Sequence, residues 1–334
     1  MSSGRHGKAP VDQPFVSTGR LPSPELVETL VAACYESVKA NRDGRNSEVY
    51  PALARVPPDL FGLCVVGVNG SVYAIGDWDC PFSIMSVSKP FVFALVCQVL
   101  GGDVARQRLG VNATGLPFNS ATAVERGEDG RTNPMVNSGA IATSSLAPGS
   151  TLDERWTFIL DGLSQFAGRT LSMNDEVFAS AIESNSRNRA IGQLLHSYGR
   201  IALEPAEAID LYTRQCSLSV TARDLAVMGA TLADGGVNPL TKMRVIDAES
   251  CKYTLAVMAT AGLYEASGDW LYEVGLPGKS GIGGGIVAVS PGKGGLGSFA
   301  PRLDDAGNSV KGRLAARYLS ERLGLSLFAS KAET

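Results

Sequence analysis

Strand-forming residues cluster near the two ends of this 334-residue chain, and a helical pattern fills most of the space between them. Leu63 to Val68 and Val72 to Ile75 flank Asn69-Gly70, a dipeptide that tolerates positive φ, so a two-residue hairpin turn is predicted there. Gly285 to Ser290 and Leu296 to Ala300 bracket Pro291-Gly292-Lys293-Gly294-Gly295 and predict a second hairpin. Between them, residues 85 to 275 read as mostly helical: Pro90 to Leu100, Thr151 to Gly168, Asn188 to Ser197, and Thr221 to Asp234, stopped by Gly235-Gly236. Ser23-Pro24-Glu25 reads as N-cap, first-turn proline and dipole-complementing acid, and Leu26, Leu30, Ala33, Cys34 and Val38 follow at helical spacing. Val310 to Leu323 reads as a closing helix. The expected fold class is α+β: an antiparallel sheet flanked by helices, completed by the C-terminal strands, with a mainly helical insert. Residues 1–22, polar and rich in Ser, Gly, Arg and Pro, are expected to form a flexible leader. Residues 23–328 are expected to form one unit, its sheet drawn from about 45–80 and 275–328 and its helical part from about 85–275.

Composition narrows the partners. The formal charge of −3, with acids and bases intermixed, leaves no basic face for nucleic acid or an anionic membrane surface, and a small-molecule ligand fits better. Six cysteines lie scattered in apolar segments without a Cys-x-x-Cys pair, and only His6 and His196 are present. Buried free thiols are therefore expected, with no metal site, cofactor or disulfide framework. The N-terminus has no apolar targeting core, and the longest apolar run, Phe91 to Leu100 interrupted by Gln98, is too short to span a bilayer. A cytoplasmic location is expected.

The chemistry centres on Ser86-Val87-Ser88-Lys89 at the start of an apolar helical run. On a helix the i, i+3 spacing puts the Ser86 hydroxyl and the Lys89 amine on one face. A serine becomes nucleophilic when a neighbour takes its proton, and a lysine can do so once its surroundings leave it partly neutral. Gly278-Lys279-Ser280-Gly281 supplies a second cation whose repulsion is expected to lower the Lys89 pKa. Ser-x-x-Lys is by itself a chance-level motif, but its pairing with a distant Lys-Ser/Thr-Gly resembles the penicillin-recognising serine acyl-transferases. The run Gly281-Ile282-Gly283-Gly284-Gly285 precedes strand-like residues and no helix, which favours close backbone approach to a substrate over a phosphate cradle.

Further segments carry a wider resemblance. Val49 to Ala54, Phe82 to Lys89, Asn133 to Ile141, Arg187 to Gly192, Tyr212 to Ser217, Gly262-Leu263-Tyr264, Leu276 to Gly285 and Gly307 to Gly312 together resemble, in order, the glutaminases of the serine-dependent, β-lactamase-like family. The resemblance implies a serine β-lactamase/DD-peptidase-like fold and hydrolysis of the glutamine side-chain amide through a Ser86 acyl-enzyme. In that scheme Lys89 accepts the proton, Tyr264 relays protons and Lys279 completes the catalytic set. It further implies that Ser86 and Ile282 donate backbone N–H groups to the oxyanion, that Tyr50, Asn137, Asn188, Tyr212 and Tyr264 line the substrate pocket, and that the protein is a homo-oligomer, dimer or tetramer. Two positions depart from the family: Met85 stands where it carries Gln, and Ala181 where it carries a Glu for the substrate amine, leaving Glu183 as a candidate amine contact. Beside glutaminase, the departures keep open a related serine amidase or acyl-transferase, and a non-catalytic ligand-binding relative.

Overall fold

The computed structural model describes residues 19–330 of the chain. The leader expected over residues 1–22 falls almost wholly outside the described residues. The main sheet has five antiparallel strands in the order β2 (Val72–Gly76), β1 (Gly62–Gly67), β8 (Gly294–Phe299), β7 (Gly285–Ser290), β6 (Gly278–Ser280). The C-terminal hairpin therefore does return to the N-terminal one: β1 pairs with β2 on one side and with β8 on the other, Val65 opposite both Tyr73 and Leu296.

Alternation along β1 sorts its side chains between two layers. Leu63 and Val65 pack with Val27 and Val31 of the helix Pro24–Val38 and with Ala315 and Leu319 of the helix Val310–Arg322. Cys64 and Val66 face the opposite way, onto Ala226, Val227 and Ala230 of the helix Ala222–Ala233. The sheet is thus covered on both faces, one by the terminal helices and the other by a helix of the insert. The second face is unusually close. A Cβ at Gly295 would lie 2.3 Å from the Ala230 nitrogen, and one at Gly297 2.1 Å from the Ala222 carbonyl oxygen, so β8 needs glycine there. Beyond that helix the insert builds its own core around Ser88–Leu100, whose residues Ser88 to Cys97 are all buried.

The first hairpin differs from the expected two-residue turn. Gly70 N donates to Gly67 O, and Gly67 N to Ser71 O, so Val68 and Asn69 form the turn and Gly70, at φ 89°, adds a third loop residue in the left-handed region. The glycine, not the Asn-Gly pair as a unit, carries the twist into β2. The mostly helical stretch over residues 85 to 275 also holds short strands that no sequence signal marked. A second sheet, β3 (Phe82–Ser83), β5 (Leu218–Val220) and β4 (Ser172–Met173), links the segment before Ser86 to the insert. Two- and three-residue strands are too short to show a period of two in sequence. Among the described residues no helix is long and apolar enough to cross a membrane.

Candidate active site

β3 ends immediately before the turn that presents Ser86. Met85–Val87 form a single 3-10 turn leading into the α-helix that begins at Ser88, so Ser86 lies just ahead of that helix rather than at its first residue. Met85 takes φ 47° and Tyr264 φ 56°, left-handed values that cost a non-glycine residue about 1–3 kcal/mol. Both strained residues flank Ser86: Met85 precedes it in the chain, and the Tyr264 side chain lies beside its own.

Ser86 opens onto a pocket of about 160 Å³ lined by Tyr50, Asn137, Asn188, Tyr212 and Ile282, which unites the five other sequence-nominated substrate contacts around it, Tyr264 apart. Tyr50 arrives from the turn after Val49, Asn137 from the first residue of the helix Asn137–Ser145, Asn188 from the helix Ser186–Ser197, and Tyr212 from the helix Pro205–Cys216. A chain of hydrogen bonds ties them: Asn137 Nδ2 donates to Asn188 Oδ1 at 3.0 Å, and Tyr212 Oη to Asn137 Oδ1 at 3.2 Å. Behind Ser86, Tyr264 Oη donates to Ser280 O at 3.2 Å and its ring packs on Phe118, centroids 4.3 Å apart.

Lys89 lies under this wall, 1% exposed. Its Nζ donates to Asn137 Oδ1 at 2.8 Å and to Met135 O at 3.4 Å. Burial away from water brings its pKa down to about 7. The second lysine is equally buried; Lys279 Nζ donates to Gly262 O at 2.8 Å and Ser280 O at 2.7 Å and sits 4.2 Å from the centre of the Tyr264 ring. Burial first, then the neighbouring Lys89, pushes Lys279 well below the ordinary amine value. Desolvation is thus the first cause for both lysines, and the repulsion between the two amines is mutual. Burial likewise raises the phenols, Tyr50 to about 12 with Tyr212 and Tyr264 also up, and keeps all three protonated.

The loop after β6 meets Ser86 through backbone. A Cβ at Gly281 would fall 3.2 Å from Ser86 N and 3.0 Å from Ile84 O, so a bare glycine lets the segment leading to Ile282 lie against the Ser86 amide. Ser280, buried, accepts from Lys279 and Tyr264 through its carbonyl and places its hydroxyl against Asn308 Oδ1.

Two nominated positions come out differently. Glu183 is exposed on the helix Asp175–Ser184, while Ala181, two residues earlier, is buried and lines the pocket. Residues two apart on a helix point away from each other, which removes Glu183 from the site. Met85 sends its side chain into the core, not the pocket, so of the two departures only Ala181 faces the pocket. Among the described residues lining the pocket none is acidic, and Arg187 is the charged one; its Nε donates to Asn119 O at 2.6 Å. Phe118, Asn119, Arg187 and Cys216 went unnominated. Arg187 and Cys216 lay inside quoted motifs, whereas Phe118 and Asn119 are brought in by a loop with no motif of its own.

This geometry has close counterparts. Residues 44–328 match the glutaminase family. The chain is 65% identical over 320 residues to glutaminase 2 of Yersinia pestis, covering 96% of this chain and 94% of that one. It is 51% identical over 288 residues to a glutaminase of Brucella canis, covering 86% and 91%. Among solved structures, a probable glutaminase, ybaS, superposes with a TM-score of 0.91 at 42% identity, over 92% of this chain and all 100% of the other. Mglu in its glutamate form superposes with a TM-score of 0.86 at 35% identity, over 92% and 71%. With a match along most of its length and relatives this similar from end to end, the chain belongs to the glutaminase family.

Proposed function

We propose that this protein hydrolyses the side-chain amide of L-glutamine to L-glutamate and ammonia through an acyl-enzyme on Ser86. The observation that carries the mechanism is the buried Lys89 three residues after a serine that opens onto a pocket lined by amide and phenol groups. An amine with a pKa of about 7 is substantially neutral at physiological pH. Its two N–H groups are engaged by Asn137 and Met135, which leaves the nitrogen lone pair to accept a proton.

In the first step the Ser86 oxygen attacks the amide carbon, its proton passes to Lys89, and the carbonyl π electrons move to oxygen. The backbone N–H groups of Ser86 and Ile282 are the proposed donors to that oxyanion, supported by the close approach at Gly281. Collapse of the intermediate breaks the C–N bond while the proton held by Lys89 reaches the leaving nitrogen by way of Tyr264, releasing ammonia. Water then attacks the ester, Lys89 takes its proton, and return of that proton to Ser86 frees glutamate. Lys279 serves by fixing Ser280 and the ring of Tyr264. Tyr50, Asn137, Asn188 and Tyr212 hold the amino-acid end of the substrate, with Arg187 near its carboxylate.

The related-amidase and non-catalytic readings drawn from Met85 and Ala181 are not favoured, because relatives at 65% and 51% identity are themselves named glutaminases. A serine β-lactamase/DD-peptidase-like architecture is proposed on the sheet order and the Ser-x-x-Lys turn beside β6. Residues 23–328 are proposed as one catalytic unit. Cytoplasmic placement is supported by six free cysteines, and assembly as a dimer or tetramer rests on the family resemblance. The test is ammonia release from glutamine by Ser86→Ala. The variant should fold normally and lose turnover; full turnover in the folded variant excludes the acyl-enzyme.

A further inference from the structure

The turn that displays Ser86 begins at the strained Met85, and a strained turn persists only where its surroundings hold it. The Met85 carbonyl accepts from Ser88 N and, at 2.8 Å, from Ser88 Oγ. Ser88 Oγ in turn accepts from Gln215 Nε2 at 3.2 Å, and Gln215 Oε1 accepts from Ser144 Oγ at 2.8 Å. Ser88, Gln215 and Ser144 are each 0% exposed, so water does not compete for these bonds.

The chain has a direction. Ser144 Oγ shares its one proton between Gln215 Oε1 at 2.8 Å and Ala140 O at 2.9 Å, and the share given to Gln215 orients the amide with its N–H toward Ser88. A hydroxyl has one proton, so a Ser88 oxygen that accepts from Gln215 spends that proton on Met85 O. The relay ends on the peptide carbonyl immediately before the nucleophile. The same two helices supply a second rung: Asn137, seven residues before Ser144, and Tyr212, three before Gln215, meet beside Lys89. One pair of helices therefore grips the base through one rung and the nucleophile turn through the other.

We infer that Gln215 is a positioning residue for the nucleophile, holding the Met85–Ser86 turn in its attacking geometry through Ser88. The inference rests on the acyl-enzyme reading of Ser86. Gln215→Met is close in shape, and Ser144 Oγ keeps Ala140 O at 2.9 Å as an acceptor, so the substitution strands no buried serine donor. The expected result is a fall in kcat for glutamine of about 10²-fold, the scale of a small misalignment of a reacting group. KM and the acidic limb of the pH profile should stay as in the wild type, because the Lys89 rung is untouched. The rate at which an organophosphorus serine reagent modifies Ser86 should fall in parallel, and Ser88→Ala should show the same loss, with the double variant no slower than Ser88→Ala alone. If Gln215→Met does not fold, Ser88→Ala carries the test by the same readouts. Wild-type kcat and reagent rate in folded Gln215→Met, alongside an inactive Ser86→Ala, overturns the positioning role and leaves the acyl-enzyme intact; additive losses in the double variant overturn it too. Full turnover in Ser86→Ala overturns both.

Discussion

Lys89 is the residue whose surroundings matter most to its chemistry. Its charge state follows from burial, so the rate should carry that signature: kcat/KM for glutamine should fall as the pH drops below about 7, where the amine becomes protonated and stops accepting. Lys279→Met should lower kcat by loosening Tyr264 and Ser280, yet leave that limb near pH 7, because burial is the largest cause of the Lys89 shift. An upward move of the limb in Lys279→Met would show that the second lysine tunes the base after all. The same shift is linked to stability. Unfolded, the amine keeps its proton up to its ordinary value near 10.5, and folded it releases it near 7. Between those values the unfolded chain holds the extra proton, so stability rises with pH across that window and Lys89→Met should flatten the rise in melting temperature. Both motif lysines were visible in the sequence. Their burial was not, because it is made by Met135, Asn137 and Tyr212 around Lys89 and by Gly262 and Tyr264 around Lys279, all from other segments.

Secondary elements place these residues, and their ends are pinned by short-range polar contacts. The helix Ala222–Ala233, on which the sheet rests, starts in a capping box: Thr221 Oγ1 accepts from Asp224 N at 3.1 Å, and Asp224 Oδ2 accepts from Thr221 N at 2.8 Å. Asp224, 3% exposed, also receives Arg169 through Nε at 2.9 Å and Nη2 at 2.6 Å, which ties the end of the helix Leu152–Ala167 to the start of this one. Thr221→Ala should cost about 1 kcal/mol, the usual worth of a cap. Asp224→Ala should cost more, about 2–3 kcal/mol, since it removes the cap partner and a charge-assisted pair together. Denaturant midpoints at unchanged slope would measure both, and equal losses would mean that Arg169 contributes nothing.

At the scale of the whole molecule, the fold is closed by strands from opposite ends of the chain. β1 is flanked by β2 and by β8, residues 62–67 against 294–299. Without β7 and β8 the N-terminal hairpin would lose its sheet partners, and the face of Ala222–Ala233 that packs on the glycines of β8 would be uncovered. Two-stranded hairpins are marginal in water. A chain ending at residue 284 should therefore lack a cooperative thermal transition by circular dichroism, although it retains Ser86, Lys89, Tyr264 and Lys279. A cooperative melt in that truncated chain would show that the helical insert folds independently of the sheet.

The bare residue order carries what is local and periodic. It marked the helix start at Ser23-Pro24, the strands on either side of Gly70 and of Gly292, and the motif positions that gather around one pocket. Those signals survive in one dimension because caps, turns and alternation act over a few residues. Tertiary structure decided what depends on direction and depth. It assigned the short strands β3, β4 and β5, too brief to alternate visibly, to a second sheet. It turned Glu183 to solvent while Ala181 faced the pocket, because residues 180–184 are helical and not extended. It also put Gln215 behind the Ser86 turn and sealed Lys89 from water, since burial and hydrogen-bond partners are supplied by segments far away in the chain.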